Sequence, residues 1–529
     1  MIEKIIGELF VIGFDGKVVP KSIKKLIHDY HIGGIILFTR NIGSPDEVLR
    51  LTASLQKEAR DAGYERPLLI CVDQENGTVR RLGEGTTIFP GGMTIGASDS
   101  EENAYQVGYA SGTELRALGI NWNLAPVVDV NVNPDNPVIG VRSYGESPER
   151  VARLAKAAVK GMQDAGVVTT LKHFPGHGDT KVDSHLALPV IPHSIERLEE
   201  IELRPFQASL ESDVIMSAHI YFPALEPEAD KPATLSKAVL TGLLREKLGY
   251  TGLITTDCME MNAISETIGT EKGVVAALQA GVDLAMVSHT LQRQVGALQE
   301  VKAAVESGEL SRESILTSAE RIRRVKDTYI NWNNTSIDSG AKVPSFVGGN
   351  DHRKLAKEAY RRGVTMVYNH GLIPIDSSSN IVVVTPEASA QSAAEDPSHA
   401  TVRLYDAVRS YQPNAKNIAL TSDWTEEDIH EQVEQWKQYD AVIFGVQYLA
   451  QQPMQQLLLE TLAASDIPVI AIVMRSPYDV ALLPELHTCI CTYEVSSPAL
   501  EVAVSAVFGE EEILGMLPVT IKSNQIKRI

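Results

Sequence analysis

The segment Lys172–Pro189, KHFPGHGDTKVDSHLALP, is dense in side chains that can transfer protons. An apolar run, Val167–Leu171, precedes it, so we expect a loop held at the end of a buried strand. Asp183 stands two residues before His185, close enough in a turn for the carboxylate to orient the imidazole and raise its basicity. The segment also contains two further histidines and one further aspartate: His173, His177 and Asp179. Proton transfer in catalysis is the chemistry that this pattern favours.

Two other interpretations of this segment stay open. Histidine and aspartate are zinc ligands, and His173 and His177 have the His-x3-His spacing, but that spacing matches no closed structural site and no cysteine joins it. The segment could also be a hydrophilic loop with incidental histidines. We favour catalysis over both, and we predict that the protein uses neither a metal nor a cofactor.

A second candidate for chemistry is Asp257, at the end of the apolar run in GLITTDCMEM. Glycoside cleavage needs a carboxylate at the anomeric carbon and a proton donor for the leaving oxygen. Asp257 could supply the first, and the pair of Asp183 and His185 the second. Asp257 could instead cap a helix that begins near Met259. Three cations are available for hydroxyl, amide or carboxylate groups of a substrate: Arg81, Arg142 and Lys172.

The elements that must position these residues follow an alternating pattern. Amphipathic stretches such as Glu47–Ala62, Glu101–Ala117, Pro148–Ala165 and Lys237–Leu248 predict helices. Eight apolar runs between such stretches predict strands: Phe10–Phe14, Gly34–Phe38, Leu68–Val72, Trp122–Val130, Val167–Leu171, Val214–Ala218, Leu253–Thr256 and Leu284–Val287. Eight alternating strands and helices predict a (β/α)8 barrel over residues 1–330, although an open doubly wound sheet would also alternate.

Polar residues at the strand ends favour the barrel. Such residues follow all eight strands: Asp15, Arg40 with Asn41, Asp73, Asp129, Lys172 with His173, His219, Asp257, and Ser288 with His289. One or two of them could cap the next helix. A barrel places all eight strand ends around one mouth, where active sites of this fold are built, so we expect the whole set to converge on a polar pocket.

Composition limits the partners. The chain of 529 residues has a formal net charge of −20, which argues against nucleic acid and anionic membranes and is compatible with a small substrate. No stretch has the length of apolar residues that crosses a bilayer, and the N-terminus does not have the pattern of a signal peptide. The four cysteines form no CxxC pair and are expected to be buried thiols in a reducing compartment. We therefore predict a cytoplasmic protein, and we make no prediction of its oligomeric state.

The remainder of the chain predicts a second domain. Residues 331–351, rich in Asn, Ser and Gly, are typical of a linker. Residues 352–529 predict a smaller α/β layered sheet, with no GxGxxG or P-loop sequence for a nucleotide. The expected strands are Val364–Tyr368, Ile381–Thr385, Ile418–Thr421, Ala441–Val446, Val469–Val473 and Thr488–Tyr493.

Several motifs carry a family resemblance. Those in the barrel are ICVDQENGTVRRL (Ile70–Leu82), NLAPVVDV (Asn123–Val130), GVRSYG (Gly140–Gly145), KHFPGHGDTKVDSH (Lys172–His185), IMSAHIYFP (Ile215–Pro223) and GLITTDCMEM (Gly252–Met261). The second domain adds RSPYDVALLPE (Arg475–Glu485) and LGMLPVTI (Leu514–Ile521). Together they resemble glycoside hydrolase family 3, specifically its bacterial β-N-acetylglucosaminidase branch, which includes the enzymes of muropeptide recycling.

The resemblance implies roles for individual residues. Asp257 would be the nucleophile that forms a glycosyl-enzyme intermediate, and Asp183 with His185 would be an acid/base dyad on a mobile loop. Five residues would grip the hydroxyl groups of N-acetylglucosamine: Asp73, Arg81, Arg142, Lys172 and His173. In plant-type β-glucosidases of this family the second domain supplies the acid/base carboxylate. The dyad makes that unnecessary here, so we expect the second domain to have a structural or substrate-edge role.

The activity implied is a retaining exo-β-N-acetylglucosaminidase that acts on muropeptides or chitooligosaccharides. Alternatives are a phosphorylase that uses phosphate as acceptor, a β-glucosidase, a metal hydrolase built on the histidines, and a catalytically inactive sugar-binding protein. One departure from the family stands out: the chain has DQENGTV where the family usually has DQEGGRV, with Asn76 for Gly and Thr78 for Arg. We expect this change to alter loop packing or leaving-group contacts and to leave activity intact.

Overall fold

A computed structural model describes residues 2–388 and 392–522 of the chain. Its first eight strands form one parallel sheet in the order β4-β3-β2-β1-β8-β7-β6-β5. The strands are β1 (Phe10–Ile12), β2 (Gly34–Leu37), β3 (Leu69–Val72), β4 (Trp122–Asn123), β5 (Thr170–Phe174), β6 (Val214–Ser217), β7 (Leu253–Cys258) and β8 (Leu284–Val287). The end of the predicted second domain, residues 523–529, lies outside the described part of the chain.

The two outer strands, β4 and β5, meet and nearly close the sheet into a barrel. Asn123 N donates to Val168 O at 2.9 Å, and Val128 N donates to Lys172 O at 2.8 Å. The isolated parallel bridges Trp122 to Val168 and Val127 to Lys172 run between the same segments. The predicted (β/α)8 barrel is confirmed, and the open doubly wound sheet is wrong for this part of the chain.

Helices surround the barrel, and several begin after a serine whose hydroxyl accepts a hydrogen bond from the first turn. Ser44 Oγ accepts a hydrogen bond from Glu47 N, and Glu47 Oε2 accepts one from Ser44 N at 2.7 Å, a capping box that starts the helix Pro45–Asp61. The barrel helices are α1 (Ile2–Glu8), α2 (Lys21–Tyr30), α3 (Pro45–Asp61), α4 (Gly92–Ser98), α5 (Glu101–Ala117), α6 (Pro148–Asp164), α7 (Ile195–Glu200), α8 (Arg204–Gln207), α9 (Asn262–Ser265), α10 (Thr270–Ala280), α11 (Leu291–Ser307) and α12 (Arg312–Tyr329).

Three barrel elements differ from the predictions. The expected strand Trp122–Val130 is regular only at Trp122–Asn123; Pro126, which has no N–H to donate, lies within the irregular remainder. The fifth strand begins at Thr170, so Lys172 and His173 lie inside it and not after it. The helix expected at Lys237–Leu248 is a π-helix over Ala238–Lys247, a wider turn of which the residue pattern gives no sign.

The second domain is a six-stranded sheet with helices on both faces. Strands β9 (Thr365–Asn369), β10 (Ile381–Pro386), β11 (Lys416–Leu420), β12 (Ala441–Val446), β13 (Val469–Val473) and β14 (Thr488–Cys491) pair in the order β11-β10-β12-β13-β14-β9. All pairs are parallel except β14 with β9. The helices are α13 (Asn350–Gly363), α14 (Leu404–Arg409), α15 (Glu426–Trp436), α16 (Pro453–Ala463) and α17 (Ser497–Val507). The predicted smaller α/β layered domain is confirmed.

Two buried clusters hold this sheet between its helices. One face packs against α15 and α16, with Trp436 fully buried, and also against Met93 of α4. The other face packs against α13, α14 and α17, with Tyr360 fully buried. Because α4 belongs to the barrel half of the chain, the two domains share a hydrophobic core at this point.

The segment between α12 and α13 runs along the barrel. Trp332 Nε1 donates to Tyr64 O at 3.0 Å. Further on, Gly348 N and His352 Nδ1 lie 3.0 Å and 2.7 Å from Glu114 Oε1, a buried carboxylate on α5. These contacts fix the path of the chain between the domains; the exact division at 330 and 351 stays a prediction. None of the helices in residues 2–388 and 392–522 has the length and apolar character to cross a membrane.

Candidate active site

A cavity of about 480 Å³ opens at the carboxyl ends of the barrel strands. This is the face where active sites of the fold are built, and the volume suits a small ligand. Seven of the predicted site residues line it: Asp73, Arg81, Arg142, Lys172, His173, His185 and Asp257. Asp183 lies behind His185. The sequence therefore located the cavity correctly, although the role of each residue stays a prediction.

Asp257 stands near the end of β7 and faces the cavity. Its Oδ1 accepts a hydrogen bond from Cys258 N at 2.7 Å. Burial opposes ionisation, but the imidazoles of His173, His219 and His185 outweigh it and lower the pKa of Asp257 to about 2. The carboxylate is therefore ionised at neutral pH, as a nucleophile must be.

The alternative role for Asp257, as a helix cap, is wrong. The next helix, α9, begins at Asn262, and its N-cap residue is Met261. Asp257 lies within the strand, too far along the chain to bond that helix start. Its position and charge are thus free for chemistry in the cavity.

Asp183 and His185 form the predicted pair. Asp183 Oδ1 lies 2.7 Å from His185 Nδ1 and also accepts from His185 N at 2.8 Å. Burial disfavours the imidazolium, but the hydrogen bond to Asp183 and the charge of Asp257 outweigh burial, so the pKa of His185 lies above its usual value. The His185 side chain is 32% exposed, whereas Asp183 is 8% exposed. The ring can therefore meet a ligand while its partner stays sheltered.

A network of ion pairs covers one wall of the cavity. Lys172 Nζ lies 2.7 Å from both Asp73 Oδ1 and Glu75 Oε1. Arg142 binds the same Glu75 carboxylate through Nε at 2.9 Å and Nη2 at 2.7 Å, and Arg81 lies 3.7 Å from Asp73. Such fixed charges can bind the hydroxyl groups of a sugar from several directions.

Glu75 is a member of this site that the sequence analysis missed. Burial opposes its ionisation, but Arg142 and Lys172 outweigh burial and hold the pKa of Glu75 well below its usual range. The signal was present, because Glu75 follows Asp73 by two residues just after β3 ends at Val72. Two carboxylates at alternate positions after a barrel strand can both face the mouth.

Asp129 fixes the orientation of His173. Its Oδ2 lies 2.7 Å from His173 Nδ1, and its Oδ1 accepts from His177 N at 2.6 Å. Asp129 is 1% exposed and lies behind His173, away from the cavity. The sequence analysis placed Asp129 at a strand end but did not identify this positioning role.

His177 has both ring nitrogens in use. Nδ1 lies 2.9 Å from Thr180 Oγ1, and Nε2 lies 3.1 Å from Ser184 Oγ. Burial lowers the pKa of His177 to about 4, so the ring is neutral at physiological pH. Among the described residues, His173 and His177 do not join a group that could hold a metal, so the His-x3-His pair gives no support to a zinc site.

The expectation that all eight strand ends reach the pocket is only partly right. Those of β2, β3, β5, β7 and β8 line the cavity. Asp15 is 87% exposed and pairs with Arg40, while Asn41 donates to the carbonyls of Phe14 and Gly16. His219 lies beneath the cavity wall, with Nε2 3.0 Å from Cys258 O. Asn41 and His219 thus contact loop backbone and Asp15 pairs with a cation, and none of the three lines the cavity.

The second domain forms part of the cavity rim. Residues 393–397 line it together with the barrel loops. Arg81 Nη1 donates to Ala394 O at 3.0 Å, and Thr39 hydroxyl donates to the Asp396 carboxylate. Glu395 in turn binds Arg475 at 2.9 Å. The rim is therefore anchored on both domains, which favours the substrate-edge role expected for the second domain.

The two departures from the family motif lie away from the cavity lining. Asn76 has a φ of 70°, a left-handed conformation that asparagine tolerates better than most residues other than glycine. Thr78 lines a small separate cleft beside Arg475 and Glu494 of the second domain. The effect of the two departures on loop packing or leaving-group contacts stays a prediction.

Comparison with known proteins identifies the family. The model of the glycosyl hydrolase family 3 N-terminal domain matches residues 1–325. The chain therefore belongs to glycosyl hydrolase family 3. The matched residues contain all eight barrel strands and most of the cavity lining, so the family match covers the candidate active site.

Named relatives share most of the chain. The β-hexosaminidase A of Pseudoalteromonas piscicida is 31% identical over 563 residues, which covers 95% of this chain and 91% of the relative. The β-hexosaminidase of Idiomarina loihiensis is 34% identical over 320 residues, 60% of this chain and 91% of the relative. The shorter match is about as long as the barrel.

A solved structure of the same family resembles this chain over almost its whole length. A family 3 β-N-acetylglucosaminidase from Paenibacillus sp. FPU-7 is 40% identical, with a TM-score of 0.91, covering 98% of this chain and 99% of that one. A β-glucoside phosphorylase has a TM-score of 0.80 at 23% identity, covering 98% of this chain and 94% of that one, a likeness of fold alone.

Proposed function

We propose that the protein is a retaining exo-β-N-acetylglucosaminidase that removes terminal β-linked N-acetylglucosamine through a glycosyl intermediate on Asp257. One observation carries the proposal: an ionised carboxylate and a histidine held by Asp183 face the same cavity. The relatives named β-hexosaminidase and β-N-acetylglucosaminidase support the same substrate class.

In the first step, Asp257 attacks the anomeric carbon while protonated His185 donates its Nε2 proton to the leaving oxygen. In the second step, neutral His185 takes a proton from water, which attacks the same carbon and releases the sugar. Asp183 holds Nδ1 throughout and stabilises the imidazolium. The raised pKa of His185 keeps a useful fraction of the ring protonated at neutral pH.

The ion-pair wall supports recognition of a single terminal sugar. Asp73, Lys172 and Arg81 offer acceptors and donors at fixed positions, and His173 is locked by Asp129. The cavity ends at the packed interior of the barrel, so a chain can enter only by its terminus. This geometry favours an exo-acting enzyme.

We further propose that the leaving group is N-acetylmuramic acid of a muropeptide or a second sugar of a chitooligosaccharide, and that the enzyme works in the cytoplasm in cell-wall recycling. Cys71, Cys489 and Cys491 are buried free thiols, which suits a reducing compartment. Turnover of a GlcNAc-β-1,4-MurNAc disaccharide at a kcat/KM well above that of chitobiose would favour the muropeptide; the reverse would favour chitooligosaccharides.

A phosphorylase is the second candidate. A histidine acid/base does not repel incoming phosphate as a carboxylate would, so phosphate could replace water in the second step. Turnover in phosphate buffer, with a search for N-acetylglucosamine 1-phosphate, separates the two reactions. Free sugar as the sole product at millimolar phosphate is the result expected of the hydrolase.

The substrate class is tested with chromogenic β-N-acetylglucosaminide and the matching β-glucoside, each with wild type, Asp257→Ala and His185→Ala. We expect cleavage of the N-acetylated substrate only, a loss of about 10³-fold or more in Asp257→Ala, and a large loss in His185→Ala on leaving groups that need protonation. Preference for the glucoside would overturn the substrate class, and wild-type rates in Asp257→Ala would overturn the mechanism.

A further inference from the structure

Three side chains with metal-binding chemistry meet at the base of the loop that carries Asp183 and His185. They are Asp179, His193 and Glu202, and their ligand atoms all lie within 4.8 Å of one another. His193 Nε2 is 2.6 Å from Asp179 Oδ2. None of the three lines the active-site cavity, so the proposed reaction leaves them unexplained.

Glu202 is the least expected member of this group. Its side chain is only 2% exposed, and its two oxygens accept from a single nitrogen, Arg197 Nη1, at 3.0 Å and 2.8 Å. A carboxylate offers about four lone-pair positions, so most of its capacity is unused by this contact. Lone pairs of this buried carboxylate thus remain for a further ligand.

The chemistry of the three groups is selective. One imidazole nitrogen and two carboxylate oxygens are ligands that suit Zn²⁺ and its neighbours Co²⁺ and Mn²⁺. Zinc binds such atoms at about 2.0–2.2 Å, and three protein ligands plus water are a common set. Ligand atoms spaced within 4.8 Å can converge on one ion with small side-chain movements.

We propose that Asp179, His193 and Glu202 bind one divalent transition-metal ion, and that this ion clamps the base of the catalytic loop. Asp179 and His193 stand at the two ends of residues 180–192, which contain the dyad, and Glu202 anchors both ends to the segment between α7 and α8. The ion takes no part in bond cleavage, so the expectation of a protein without a metal would hold for the catalytic reaction and fail for the loop. It shortens the free length of the loop and so limits how far Asp183 and His185 can move from the cavity.

The loop between these ligands has features of a segment that needs such an anchor. Lys181 is exposed, and two apolar side chains point to solvent, Val182 at 41% and Leu186 at 71% exposure. Thr180, Asp183 and Ser184 are buried, but the exposed residues beside them have little to hold them, so the ends of the loop influence its range of positions. An ion at the base would reduce local opening without contact with the dyad itself.

Binding is tested on the full-length protein, stripped with a chelator, by calorimetric titration with ZnCl₂ and by the visible absorption of added Co²⁺. We expect one equivalent bound, and an affinity that falls about tenfold or more in His193→Gln and in Glu202→Gln. His28→Gln is the matched control, because His28 also pairs with a glutamate, Glu58, at 3.1 Å but joins no group of three possible ligands among the described residues. His193→Gln changes a half-exposed residue, so it remains informative if Glu202→Gln does not fold.

A second control locates the ion. Zinc could bind the active-site cavity, so Asp257→Asn is titrated in parallel. Retained binding in Asp257→Asn together with loss in His193→Gln supports the clamp. Loss in Asp257→Asn with retention in His193→Gln would place the ion in the cavity and overturn the proposal, as would the absence of any stoichiometric binding.

Trypsin supplies a readout of the loop that does not depend on activity. Lys181 lies just after Asp179, and cleavage of the exposed Lys181–Val182 bond reports local opening. Zinc should slow cleavage at this bond about tenfold in wild type and in the His28→Gln control, and not in His193→Gln. An equal cleavage rate with and without bound zinc would show that the ion does not clamp the loop.

Discussion

The carboxylate of Asp183 holds His185 at two points, with Oδ1 2.7 Å from the ring Nδ1 and 2.8 Å from the backbone N. One residue thus fixes both the ring and the loop turn that carries it. The contact leaves Nε2 as the nitrogen that can exchange a proton with substrate. It also gives the imidazolium a nearby negative charge, which opposes the effect of burial on the pKa of His185.

This contact predicts a shift in the pH profile of Asp183→Asn. The first step requires protonated His185, so activity falls as pH rises through the pKa of the ring. Removal of the carboxylate lets burial dominate and lowers the pKa of His185, so the alkaline limb of kcat/KM should move to lower pH. The measurement is kcat/KM against pH for a substrate with a poor leaving group. An unchanged alkaline limb would show that Asp183 does not tune His185.

Glu75→Gln should lower both binding and stability. Glu75 is the shared partner of Arg142 and Lys172, and loss of its charge leaves buried Arg142 without its carboxylate partner and Lys172 with Asp73 alone. We expect the free energy of unfolding to fall by about 3 kcal/mol and KM to rise. Glu65→Gln, at an 89% exposed side chain, is the control and should leave the melting temperature unchanged.

The stability effect of Glu75 should depend on pH in one direction. Its pKa in the folded protein lies below the usual value, so its contribution is fully present above the unfolded-state pKa and is lost as pH falls towards the folded value. The stability difference between wild type and Glu75→Gln should therefore shrink below about pH 4. Chemical denaturation at several pH values tests this, and a difference that grows on acidification would contradict it.

Asp129→Asn tests the orientation of His173. The Asp129 carboxylate accepts a charge-assisted hydrogen bond from the backbone of His177 and contacts the ring of His173. The neutral amide of asparagine makes both contacts weaker. We expect kcat/KM to fall about tenfold to a hundredfold, mainly through KM if His173 grips the sugar. Asp135→Asn, at an exposed residue of the same loop, should have no effect. A change in kcat alone would argue for a role of His173 in the chemical step.

The departure from the family motif can be tested by substitution of Asn76. Asn76 has a φ of 70°, which glycine adopts readily. Asn76→Gly should therefore retain activity and change the free energy of unfolding by less than about 1 kcal/mol. Asn76→Val should destabilise the protein, because a β-branched side chain is strained at positive φ. Thermal unfolding of both variants makes the comparison, and equal stability of the two would contradict the left-handed conformation.

Much of the architecture was predictable because its signals are local. Apolar runs between amphipathic stretches predicted seven of the eight barrel strands to within a few residues, and one of these seven, β8, with its observed bounds, Leu284–Val287. The strand predicted over Trp122–Val130 was too long. An apolar run does not show where a proline or side-chain hydrogen bonds interrupt the backbone hydrogen bonds of the sheet. The cavity residues were predictable from polar groups after strands and from motif resemblance.

What the sequence could not show are contacts between distant segments. Glu75 and Asp129 act through partners 67 and 44 residues away, and no local pattern distinguishes them from other acidic residues at strand ends. The rim formed by residues 393–397 depends on how the two domains pack. The proximity of Glu202 to His193 and Asp179 is likewise a product of the folded loop.

The central claim is that Asp257 becomes covalently bound to the sugar, and one measurement tests it directly. The protein is incubated with a 5-fluoro N-acetylglucosaminyl fluoride, which forms the intermediate faster than it releases it, and the adduct is mapped by mass spectrometry of peptides. The account predicts one sugar per chain, on the peptide that contains Asp257, and none in Asp257→Asn. A label on Asp183, Glu75 or another residue, or unlabelled enzyme that still turns the probe over, would contradict it.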